Sequence, residues 1–218
     1  VVESLLDADA SKDAIVRKLD GFVRTCTEKD VAVIAVSGHG VKGLRGLYYL
    51  PHDGDSDSLQ TCLNWSEIAT RIQNLKAKNV IVLLDCCHAG AFAKDRLPTQ
   101  NEVAKDLKSK PNFMVLTASK GSQLAIELNE PERHGLFTLK VIEALRGSAD
   151  ANENGQVTAR EFSDYVVKSV SRHSANEQTP EEAAGDGFDW GTIVAHDTRK
   201  EPAPAAIQKP ATLVVPKP

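Results

Sequence analysis

Three unbroken apolar runs limit what this chain can fold into: residues 31–36 (VAVIAV), 80–84 (VIVLL) and 113–116 (FMVL). A strand with one wet face alternates apolar and polar residues. A continuous apolar run instead reads as a strand covered on both faces, the pattern of a parallel sheet between helical layers. Segments of helical spacing separate the runs. Ile15, Val16, Leu19, Phe22 and Val23 predict a helix over about residues 11–25. Trp65, Ile68, Ala69, Ile72 and Leu75 predict a second, with Asn64 or Ser66 as its cap. Residues 136–145 and 161–170 read as two more. Residues 1–6 read as a strand, 47–50 (LYYL) as a short one ended by Pro51, and Ile193 and Val194 as the end of the sheet. The alternation predicts an α/β fold, helices flanking a mostly parallel sheet.

Composition narrows the function classes. The 218 residues carry a net charge of −4, with 41% hydrophobic and 26% charged residues, enough for one sizeable core. Nothing in that balance resembles the basic surplus of a nucleic-acid binder. No apolar run approaches the roughly 20 residues of a membrane span, and no signal peptide is visible. The four cysteines, Cys26, Cys62, Cys86 and Cys87, include an adjacent pair and make no disulfide framework. A reducing compartment, the cytoplasm, is expected. The single methionine is Met114, so the chain does not start at an initiator residue. Half of the ten prolines fall in residues 201–218. The expected organisation is one domain over 1–198 and a Pro/Ala-rich tail or linker over 199–218.

The first two runs lead into unusual sequence: Ser37-Gly38-His39-Gly40 after one, Asp85-Cys86-Cys87-His88-Ala89-Gly90 after the other. Parallel neighbours present such endings on one edge of the sheet, where ligands bind in α/β folds. A histidine and a cysteine there act as base and nucleophile, because the thiolate is the reactive form and an imidazole takes the thiol proton. The N–H groups of Gly40 and Cys87 are candidate oxyanion donors. Consecutive Cys86, Cys87 and His88 cannot easily enclose a tetrahedral zinc ion. No G-x-S-x-G elbow supports an α/β-hydrolase.

SGHG and DCCHAG, each after a buried strand, resemble the caspase-like cysteine peptidases, in particular metacaspases and their bacterial relatives. The family pattern D-x-C-x-x-G places the nucleophile on Cys87, not Cys86, and His39 precedes it by 48 residues, against about 50 in caspases. LTAS at 116–119, Gln123, Glu127 and GLFT at 135–138 extend the match, which covers roughly 1–195. The resemblance implies a three-layer α/β/α sandwich and a cysteine endopeptidase working through a Cys87–His39 dyad and a thioester, with no metal required. It also implies that Asp85, with Ser37 and Ser119 nearby, lines a pocket for arginine, then lysine. A carboxylate pairs bidentately with a guanidinium and more loosely with an ammonium. Protein or peptide substrates with basic residues follow, in stress, defence or cell-death signalling. The alternative is a catalytically silent interaction module.

Three further expectations stand beside that reading. Asp150, Asn152, Asn154, Gln156 and Glu161 follow the spacing of a calcium-binding loop between two helices, although only the first and last are charged. Calcium there would be structural or regulatory. Residues 91–110 carry Lys94, Arg96, Lys105, Lys108 and Lys110, the kind of connection cut on activation in caspase-like enzymes. Finally, such domains open with a central strand that is absent before Val1. Unpaired strand edges are avoided in folded proteins, so a second polypeptide is expected to complete the sheet.

Overall fold

The computed structural model describes residues 1–43, 46–88, 106–107, 110–120, 123, 125–128 and 135–199, the side chains of Lys42, Cys87 and His88 excepted. Residues 1–6 form no strand; a single turn of 3-10 helix follows at Asp7–Asp9. Their β-branched start fits a strand, but no described strand pairs with them, and Val1, Val2 and Leu6 are exposed. Helix α1 (Lys12–Thr25) starts as predicted, with Ser11 Oγ accepting the Ala14 N–H. Strand β1 (Val31–Gly43) turns back into β2 (Gly46–Leu50), and β3 (Leu63–Asn64) leads into α2 (Trp65–Gln73). The cap of α2 is Asn64, whose side chain accepts the Ser66 N–H at 2.8 Å. Strands β4 (Asn79–His88) and β5 (Phe113–Thr117) follow, then α3 (Leu136–Glu143), β6 (Gln156–Thr158), α4 (Ala159–His173), β7 (Glu181–Ala184) and β8 (Ile193–His196).

The main sheet has the order β3-β2-β1-β4-β5-β7. The central pairs β1–β4 and β4–β5 are parallel, and β2, β3 and β7 are antiparallel additions. Ile193 and Val194 do not end this sheet. They pair with β6 in a separate ribbon, and the outer position is taken by β7. Its sequence, EEAA, is poor in β-formers, so only its pairing with β5 identifies it.

Strand alternation divides the core in two. Ala32, Ile34, Val80, Val82, Leu84 and Val115 face one way, with Ile68 and Ile72 of α2 and the apolar stripe of α1 packed against them. Ile81, Leu83, Met114 and Leu116 face the other way, under Phe137 of α3 and Phe162 and Val166 of α4. The run in β4 is therefore buried on both faces, as expected. The run in β1 is not: Val31 is 37% exposed and Val33 48%.

The edge of β1 is open as well. β2 pairs only with residues 39–43 of β1, and among the described residues no strand lies beside 31–38 on that side. In a strand, successive N–H groups point to alternate edges. Every second amide of residues 31–38 is therefore expected to exchange with solvent deuterium far faster than those of 80–84, which are flanked by strands on both sides. Uniform protection along 31–38 in the monomeric chain would contradict an open edge.

Candidate active site

The two motifs lie within strands rather than beyond their ends. β1 continues through SGHG to Gly43 because β2 pairs with His39–Gly43 and satisfies the backbone there. β4 continues through DCCH because it stays in register with β1: Ser37 opposite Asp85, Gly38 opposite Cys86, His39 opposite Cys87 and Gly40 opposite His88. Paired positions in a parallel sheet share a face about 4.8 Å apart. Positions 37, 39, 85 and 87 thus lie on one face, and 38, 40, 86 and 88 on the other. His39 is exposed. The side chain of Cys87 lies outside the described residues, as do those of His88 and the residues Ala89 and Gly90; the backbone places Cys87 directly beside His39. The oxyanion candidates Gly40 and Cys87 sit one register step apart on neighbouring strands.

Gly38 has a role the sequence did not suggest. Its φ is +146°, and a Cβ built there would meet the Tyr49 hydroxyl at 3.0 Å. The glycine makes room for Tyr49. The phenol donates to the Ser37 carbonyl at 3.0 Å and pins the β1–β2 hairpin just before His39. Burial, with the neighbouring Cys86 adding to it, pushes the Tyr49 phenol up from its ordinary value.

Asp85 is buried, and α3 comes to it. Thr138 Oγ1 donates to Asp85 Oδ2 at 2.5 Å, and the nearby Thr138 N–H also favours the ionised carboxylate. The approach requires Gly135, because a Cβ there would stand 2.9 Å from Oδ2. Burial raises the Asp85 carboxyl above the ordinary carboxylate range. Thr138 opposes this, and the like charge of Glu127 adds to it. Glu127 reaches the site because its backbone bridges to Gly135, and the Leu136 N–H donates to the Ile126 carbonyl.

The fully buried Gln178 lies in a polar stretch whose sequence has no periodicity to mark it. Its amide donates to the Ala118 carbonyl at 2.9 Å and accepts the Ile126 N–H at 2.8 Å. It ties the end of β5 to the segment bearing Glu127. Ser119 is buried, donates to the Gln123 carbonyl, and lines a cavity of about 40 Å³ with Gly40, Trp65 and Cys86. Cys26 and Cys62 are buried thiols, raised by desolvation, as core cysteines are.

The calcium-type residues are engaged with their own chain. Asp150 accepts the N–H groups of Asn154 and Gly155, and Asn154 accepts that of Gln156. Asn152 donates to Glu161, whose other oxygen closes a capping box with Thr158 at the start of α4. Among the described residues no three His, Cys, Asp or Glu side chains are grouped to hold a metal ion. Lys110 is buried and donates to the Leu75 carbonyl, which removes it from the basic residues open to a protease. Lys94, Arg96, Lys105 and Lys108 lie outside the described residues.

Comparison with known proteins agrees with this fold. A family model described as a caspase domain matches residues 2–186. No curated protein sequence matches. Among solved structures, protein GSU0716 from Geobacter sulfurreducens superposes with a TM-score of 0.56 at 16% identity, over 85% of this chain and 77% of that one. At that identity the likeness concerns the fold.

The Asp85 shift has a thermodynamic consequence. A carboxyl raised in the folded state binds more protons there than in the unfolded chain. Stability is therefore lost as pH rises from the unfolded value, about 3.9, through the folded one. Asp85→Asn keeps an acceptor for Thr138 without the charge. It is expected to melt at or above the parent at pH 7, with the difference closing on acidification. A lower melting temperature at pH 7 would show that the ionised carboxylate stabilises the fold.

Proposed function

This chain belongs to the caspase-domain family, and from that premise we propose that it is a cysteine endopeptidase cleaving after arginine, then lysine. The observation that carries the reading is the register of β1 against β4, which sets His39 beside Cys87. In the proposed reaction the Cys87 sulfur attacks the scissile carbonyl carbon, and its thiol proton passes to His39. The N–H groups of Gly40 and Cys87 receive the developing oxyanion. As the tetrahedral intermediate collapses, the C–N bond breaks and His39 protonates the leaving amine. Water then adds to the thioester carbonyl, His39 takes its proton, and the C–S bond breaks to release the acid and restore the thiol.

Specificity in this reading rests on Asp85, with Ser37 on the same face. A buried carboxylate in a low-dielectric wall attracts a guanidinium more strongly than one in water. Ser119 is kept in this reading as a substrate contact from the opposite face, where it lines the cavity with Gly40 and Cys86. Processing at the basic residues of 91–109 is part of the proposal, as is action in the cytoplasm in stress, defence or cell-death signalling, supported by a cysteine spacing that makes no disulfide framework. A second polypeptide supplying an apolar strand along residues 31–37 of β1 completes it, supported by the open edge and by exposed Val31 and Val33. In such an assembly the fast-exchanging amides of that stretch become protected.

Fluorogenic peptides ending in Arg, Lys or Asp before the cleavable bond test the activity. The expected order is Arg, then Lys, with no cleavage after Asp. Cys87→Ala and His39→Ala are each expected to lower kcat/KM by at least about 10³-fold, while Cys86→Ala retains activity. Hydrolysis unaffected by Cys87→Ala would overturn the dyad. Absence of cleavage in both processed and unprocessed protein would favour the silent interaction module.

A further inference from the structure

We infer that Thr138, seated by Gly135, is the positioning residue that sets the preference of this site for arginine over lysine. The inference rests on the reading of Asp85 as the specificity carboxylate, and deepens it. A carboxylate offers about four acceptor positions. The Thr138 hydroxyl occupies one of them, on Oδ2. The remaining acceptor positions are thereby held in one orientation. That matters unequally to the two substrates. A guanidinium is a planar fork whose two parallel N–H bonds need a fixed carboxylate plane. An ammonium is a point charge on a flexible stem and follows a carboxylate that turns.

Gly135 is the second observation, and it is independent of the hydroxyl. With any Cβ at 135 only 2.9 Å from Oδ2, the carboxylate must rotate away from α3 or α3 must move. Position 135 is also where the Glu127 segment bridges, so glycine there lets α3, Glu127 and Asp85 meet. A helix cap alone would serve α3 equally well with a carboxylate in any orientation. Here the Thr138 bond fixes a group that shares a sheet face with positions 37, 39 and 87.

Among the described residues, the titratable groups facing Asp85 are Glu127, from the bridging segment, and His39, two residues along the same face. Neither is altered in Thr138→Val. A change in pH profile between parent and variant therefore belongs to Asp85. The hydroxyl favours the ionised carboxylate, so its removal moves the acid limb of kcat/KM to higher pH.

The test measures kcat and KM for matched Arg and Lys peptides across pH, and the affinity for argininamide by calorimetry, in the parent and in Thr138→Val, Thr138→Ser and Gly135→Ala. Thr138→Val is expected to lower kcat/KM for Arg about tenfold, mainly through KM, with a smaller loss for Lys and an upward-shifted acid limb. Thr138→Ser restores the parent ratio. Gly135→Ala, which keeps the hydroxyl but crowds the carboxylate, also lowers the Arg/Lys ratio. An unchanged ratio and acid limb in Thr138→Val, with only a lower melting temperature, would overturn the inference and leave the peptidase reading intact. Parent protein that cleaves no basic peptide but binds argininamide, with affinity lost in Thr138→Val and regained in Thr138→Ser, would uphold the inference without the peptidase reading. Neither cleavage nor argininamide binding by the parent would overturn both.

Discussion

Ten consecutive pairs join β1 to β4, from Val31 opposite Asn79 to Gly40 opposite His88, and the arrangement of the site depends on that parallel ladder. A parallel ladder keeps paired positions on a common face. A slip of one residue would set His39 beside position 86 or 88 and send Ser37 and Asp85 to opposite faces. The register is held by burial. Val80, Val82 and Leu84 must face α2, and Ile81 and Leu83 must face α3 and α4, so the apolar run of β4 has one workable setting on each side. Tyr49 then ties the far end of β1 to β2 through the Ser37 carbonyl, where Gly38 leaves space for its ring.

The second structural device is the meeting of β4 with α3. A carboxylate at the start of a helix satisfies N–H groups that have no partner within the helix. Asp85 stands at the start of α3 from a different element and accepts the Thr138 hydroxyl there. Burial opposes ionisation while Thr138 favours it, and the balance leaves the carboxyl raised. A group placed at such cost in stability is characteristic of sites that bind or react. Gln178 supports the same region from below, joining Ala118 to Ile126 so that the Glu127 segment lies against Gly135.

Much of the fold was legible in the chain, and its limits have physical causes. Residues 80–84 read correctly because a strand between two strands and two helical layers has only apolar neighbours. The same reading overstated β1, whose Val31 and Val33 are exposed although their composition matches β4. Local sequence reports what a strand can bury, not what covers it. Residues 1–6 illustrate the point further, being strand-like in composition and yet unpaired among the described residues. The cap of α2 was legible because Asn64 acts within its own turn. β7, Gln178 and the Thr138–Asp85 bond were not, since each is defined by a partner more than fifty residues away. His39, Cys87 and Asp85 were legible as types and spacing. The role of Gly38 as a seat for Tyr49 required the tertiary contact.

The central claim is that one thiol, beside His39 and on the face of Asp85, is the reactive centre. A peptide with arginine at its end and a thiol-reactive chloromethyl ketone in place of the scissile bond tests it most directly, with the adduct mapped by mass spectrometry. The account predicts a single adduct on Cys87, slowed when the peptide ends in aspartate and lost in His39→Ala. Labelling of Cys86 instead, or equal labelling with the aspartate peptide, would contradict it.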